Sequence, residues 1–78
     1  MKTYNGHRSW NAWNVSLWIN NTESIYFFSV ECCKEAKTLG GAVRRFMRYY
    51  EGEKTPDGAV YNPLAVKLAI EETFESYN

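Results

Sequence analysis

Few side chains in this sequence are of types that make or break bonds. There is one histidine, His7, and the two cysteines, Cys32 and Cys33, are adjacent. A histidine acting as general base needs a group to orient it and match its pKa to the task. No acidic residue stands near His7 in sequence, so an exposed or capping role is expected of it. Neighbouring cysteines cannot easily reach disulfide geometry. A mid-helix position also lacks the electropositive surroundings that favour a thiolate. Packing is the expected role, with one thiol in the core and the other half-buried. No metal-ligand set can be assembled from so few histidines and cysteines, and nothing calls for a cofactor. Glu71, Glu72 and Glu75 cluster near the C-terminus without a histidine or aspartate beside them, which reads as a solvated helix face. Gly40 and Gly41 lack every other element of a phosphate loop. The chain is expected not to be an enzyme.

Binding chemistry is better represented. Arg44, Arg45 and Arg48 beside Tyr49 form the mixture of cations and aromatics that holds phosphate backbones. Arginine and tyrosine are equally the residues enriched in protein–protein hot spots. The same arginines could instead pair with Glu31, Glu35 or the last helix. The chain is formally neutral, with nine basic and nine acidic side chains, so it has no global attraction for nucleic acid or an anionic membrane. The distribution is uneven: residues 1–50 carry a net charge of +4 and residues 51–78 a net charge of −4. Neighbouring helices of opposite sign would cancel this. Alternatively, the acidic face of Glu71, Glu72 and Glu75 could occupy a basic groove, or the arginines could grip an acidic patch.

These groups need a scaffold, and 78 residues supply one domain. A 45% hydrophobic and 17% aromatic composition is ample for a core. So short a chain has little stability in reserve, and a second copy or a partner could complete it. Four helices with short connections are expected. The first starts at Ser9, a good N-cap, and runs to about Asn20. Thr22 caps a second that ends near Lys37, with apolar positions 25, 28, 32 and 36 in one stripe. Its segment IYFFSV has strand propensity, but the helical period continues through Cys32, Cys33 and Ala36. Thr38 caps a third helix with the stripe Leu39, Ala42, Val43, Phe46, Met47 and Tyr50, and the arginines lie opposite. Residues 51–62 form the one clear loop, with Thr55-Pro56-Asp57-Gly58 as a type I or II turn. Asn62 caps the last helix with Pro63 at its first position. The fold class is therefore all-α, a compact bundle of about four short helices. The alternative is an α+β fold in which Ala59-Val60-Tyr61 pairs with residues 26–30 as a short hairpin. Of the tyrosines, Tyr4, Tyr49, Tyr61 and Tyr77 are expected outside.

Residues 9–20, SWNAWNVSLWIN, carry Trp10, Trp13 and Trp18 within one helix. Positions 10, 13, 14, 17 and 18 share a face, so Trp10, Trp13, Leu17 and Trp18 make an apolar stripe with Asn14 inside it. Burying each indole would be worth about 4–6 kcal/mol before entropy. The stripe reads chiefly as scaffold. An amide within it must find partners or cost a few kcal/mol. A hydrogen bond to the arm around Tyr4-Asn5-Gly6 would satisfy Asn14, and a recognition role at a partner surface is the other reading.

The opening segment resembles the N-terminal signature of small, uncharacterised proteins of phages, prophages and plasmids. Members open with Tyr-Asn-Gly and continue close to NYETWNVALWIDN. Here Tyr4-Asn5-Gly6, Trp13-Asn14-Val15, Leu17-Trp18-Ile19 and Asn20 match, over about a quarter of the chain. Trp10 stands where the family has Tyr, and Asn11-Ala12 where it has Glu-Thr. The resemblance implies a mobile-element setting inside a bacterial cell and carries no chemistry with it. Unpaired thiols, and the lack of a signal core or a membrane-length apolar run, point to a soluble protein of the bacterial cytoplasm. The expected function is stoichiometric binding of a host protein or protein complex, as in an inhibitor of a defence system such as an anti-CRISPR protein. The alternative is a small nucleic-acid-binding or regulatory accessory protein using Arg44, Arg45 and Arg48. A homo-oligomeric module is a third possibility.

Overall fold

Four capped helices account for most of the chain. The computed structural model describes residues 9–77 and consists of α1 (Trp10–Asn21), α2 (Glu23–Glu35), α3 (Leu39–Tyr50) and α4 (Pro63–Tyr77). Each start has a local cause. Ser9 Oγ accepts from the amide of Ala12 at 3.1 Å, and Thr38 Oγ1 from that of Gly41 at 3.0 Å. Asn62 Oδ1 accepts from Ala65 at 2.9 Å, with Pro63 at the first position. Such caps satisfy amides that the helix itself cannot. Thr22 works differently from the expected side-chain cap. Its own amide closes α1 on the carbonyl of Trp18, and its carbonyl opens α2 by accepting from Tyr26, so one residue turns the corner. The second helix stops two residues short of Lys37 because Ala36 is already extended. After α3, Gly52 takes a left-handed φ of 82° that a side chain would strain.

Every pair of helices packs together except α1 with α3, so α2 and α4 form the centre and the other two flank it. The Cα radius of gyration is 11.6 Å, close to the roughly 11.5 Å expected of a compact chain of this length. The all-α architecture expected from the sequence is the one found. The hairpin alternative fails: residues 26–30 are helical, and the loop pairs with itself through an isolated antiparallel bridge between Lys54 and Val60.

The core corrects two expectations. Val15, Ile19, Cys32, Cys33, Phe46, Val66 and Ile70 are its centre, and Phe46, Tyr50, Phe28 and Tyr61 form its aromatic part. Phe46 stacks on Tyr50 with centroids 4.6 Å apart. Tyr61, expected outside, is buried in this cluster, and burial followed by the neighbouring Tyr50 pushes its phenol up. The tryptophan stripe is the larger correction. The core face of α1 is Ala12, Val15 and Ile19, while Trp10 and Leu17 are 39% and 37% exposed and Trp13 and Trp18 are half-buried. Ala12 on α1 and Ala65 and Ala69 on α4 are buried, and small side chains let helix axes approach in a way that indoles prevent.

Candidate functional site

The outer face of α3 follows from its amphipathic period. With Ala42, Val43 and Phe46 turned into the core, Arg44, Arg45, Arg48 and Tyr49 must face solvent, and all four are exposed. Where α2 hands over to α3, a cleft of about 270 Å³ is lined by Lys37, Thr38, Gly41, Arg44, Arg45 and Arg48. Lys37 had no place in the basic group read from the sequence and joins it here. The Arg44 guanidinium folds back over the first turn of α3, where the glycines leave room. A Cβ at Gly40 would stand 3.8 Å from its Nη1, and one at Gly41 3.9 Å from its Nη2. Glu35 meets Arg45 at 3.4 Å, an exposed pair worth at most about 1 kcal/mol. That is the ion pair among the described residues. The last helix does not neutralise the arginines.

The acidic group is divided. Glu72 and Glu75 line a second, open cleft of about 630 Å³ with Tyr26, Thr73, Ser76 and Tyr77, whereas Glu71 is half-buried and does not line it. Lys34 already places its ammonium 5.3 Å from the Tyr77 ring, beside that cleft. Tyr49 and Tyr77 are exposed as expected, Tyr49 to 72%.

The amide of the Trp-Asn segment is buried and hydrogen-bonded, and the partners described for it belong to the loop before α4. Asn14 is buried and both ends of its amide are engaged by the 51–62 loop: Nδ2 donates to Asp57 Oδ2 at 2.9 Å, and Oδ1 accepts from Thr55 Oγ1 at 2.6 Å. Trp18 Nε1 donates to the same Asp57 oxygen at 2.9 Å. One turn earlier, Asn11 accepts from the Val60 amide at 2.7 Å and donates to its carbonyl at 2.9 Å, as a neighbouring strand would. Asn11, Asn14 and Trp18 thus lace the loop to α1, and the loop in turn carries Tyr61 into the core. The N-terminal arm expected to satisfy Asn14, Tyr4-Asn5-Gly6, lies outside the described residues, as does His7. Asn11, Thr55 and Asp57 were missed as partners. The signal available was two asparagines three apart on one helix face.

The Asn14 and Trp18 bonds, in that order, hold the Asp57 carboxyl below its ordinary value of 3.8. Its carboxylate therefore contributes stability in full above that value, and the contribution is lost as the pH falls below it. Asp57→Asn should accordingly lower the urea midpoint near neutrality, with the gap to wild type closing in acid. A gap independent of pH would show that the carboxylate charge does not hold the loop.

Neither cysteine is poised for attack. Both thiols are buried, contrary to the expected division between core and surface. Burial first, then Cys33 and Glu35, pushes Cys32 up to about 11, and burial raises Cys33. The native protein should resist thiol reagents at neutral pH and react with two equivalents only in denaturant, as read by a thiol-titration assay. Rapid native labelling would contradict the burial. Among the described residues no three His, Cys, Asp or Glu side chains come together to hold a metal, and no helix is long and apolar enough to cross a membrane.

These features define a small all-α bundle whose first helix is laced to a long loop and whose third presents a basic face. The chain belongs to a family of unknown function, DUF7249, whose model matches residues 1–78. No curated protein and no solved structure matches it.

Proposed function

We propose that this is a non-enzymatic protein of a phage or other mobile element that binds a component of the bacterial host stoichiometrically in the cytoplasm. The class of target is a protein complex of a defence system, which the bound protein inhibits, as an anti-CRISPR protein does. The observation that carries the reading is the outer face of α3. Arg44, Arg45, Arg48 and Tyr49 project from a helix whose opposite side already supplies the core, and among the described residues the three arginines enter one weak ion pair. Side chains of these types at an exposed, rigid helix face are those that dominate protein interfaces. The mobile-element setting rests on the Trp-Asn resemblance.

Affinity capture from host lysate tests this with two baits, the wild-type chain and Arg44→Glu/Arg48→Glu. The expected result is one defence complex recovered in fixed stoichiometry by the wild type and lost with the charge-reversed bait, with both baits equally helical by circular dichroism. Recovery of the same proteins by both baits, or of no defence component, would overturn the assignment of this face.

A further inference from the structure

The basic cleft has a geometry that selects among anions. Three guanidinium groups and one ammonium line it, and the carboxylate paired with Arg45, that of Glu35, lies outside the lining. Arg44 is folded across the glycine turn, while Arg48 stands one helical turn further along the same face. Tyr49 follows Arg45 by one turn, just outside the cleft lining, and its exposed ring makes a T-shaped contact with Phe28 at 88° with centroids 5.4 Å apart. At 72% exposure the ring leaves apolar surface open for stacking. Cations one turn apart, with an exposed aromatic ring beside Arg45, suit a chain that alternates phosphates with planar bases.

We propose that the cleft between α2 and α3 is a phosphate seat for single-stranded nucleic acid, with Arg44 and Arg48 on successive phosphates, Lys37 at the entrance and Tyr49 stacking on a base. This rests on the reading of the α3 outer face as the contact surface and adds that the host assembly is met there at an exposed nucleic-acid strand. The neutral net charge makes the site local, so two or three phosphates are engaged and the salt dependence is modest. For single strands, that number of contacts weakens binding about tenfold between 50 and 200 mM salt.

Fluorescence anisotropy with a labelled twenty-residue oligothymidine tests the proposal, with a duplex of equal length and poly-glutamate as competitors. Wild type should bind the single strand at low salt and weaken about tenfold over that salt range. Arg44→Ala/Arg48→Ala should lose at least tenfold in affinity with a shallower salt slope. Tyr49→Ala should lose affinity with the slope unchanged, a split that a merely structural role would not give. Circular dichroism of each variant establishes that it is folded. No binding at low salt, equal competition by poly-glutamate, or preference for the duplex would each overturn the phosphate seat. If oligothymidine fails while capture of a host complex still depends on Arg44 and Arg48, the face grips protein and only the phosphate inference falls. If neither depends on them, both readings fall.

Discussion

Asn14→Ala is expected to remove about 2–4 kcal/mol of folding stability. The amide is 2% exposed and both of its ends are used. Truncation breaks two hydrogen bonds, leaves the buried Thr55 hydroxyl short of an acceptor, and opens a small void beneath the loop. A chain of this length has about 4–12 kcal/mol in total, so the change consumes a large share of it. The melting temperature should fall by about 10–25 °C. Chemical denaturation of the wild type and the variant measures the loss, and a deficit below about 0.5 kcal/mol would show that the loop is held by other means. A double-mutant cycle with Thr55→Val isolates the coupling, which should exceed about 0.5 kcal/mol for residues in direct contact.

Phe46→Ala should cost more, about 3–5 kcal/mol, and leave little folded protein. Phe46 is fully buried and its ring meets those of Phe28, Tyr50 and Tyr61, so truncation removes the side chain on which α2, α3 and the loop converge. The informative comparison is Trp10→Ala. Trp10 is the larger residue, yet it lies on the exposed side of α1. Its truncation should cost about 1 kcal/mol or less, in the range of surface and rim positions. Thermal melts of the two variants side by side test this ordering. Equal losses would return the tryptophan stripe to the core.

The same ordering measures how much of the molecule could be read from its residues. In α3, apolar positions 39, 42, 43, 46, 47 and 50 alternate cleanly with Arg44, Arg45 and Arg48, so both the buried face and the exposed basic face were legible. In α1 the pattern is apolar on several sides, since Ala12, Val15 and Ile19 compete with Trp10, Trp13 and Leu17. Periodicity then states that a helix forms without stating which side is buried. Bulk favoured the tryptophans, and close packing favoured the small side chains. Asn14 was recognised as needing partners, but those partners are 41 and 43 residues away. No local pattern joins a helix amide to a turn at that separation.

Local interactions act between near neighbours along the chain, and these the sequence determined by itself. The capping residues Ser9, Thr38 and Asn62 with Pro63, the breaks after each helix, and the outward arginines of α3 all follow from a turn or two of backbone. Tertiary structure alone decided which face of α1 enters the core, that Tyr61 is buried, that Asn11, Asn14 and Trp18 lace the loop, and that Lys37 joins the arginines around one cleft. Each of these depends on how closely two distant segments can approach, and that distance is set by the side chains of both at once.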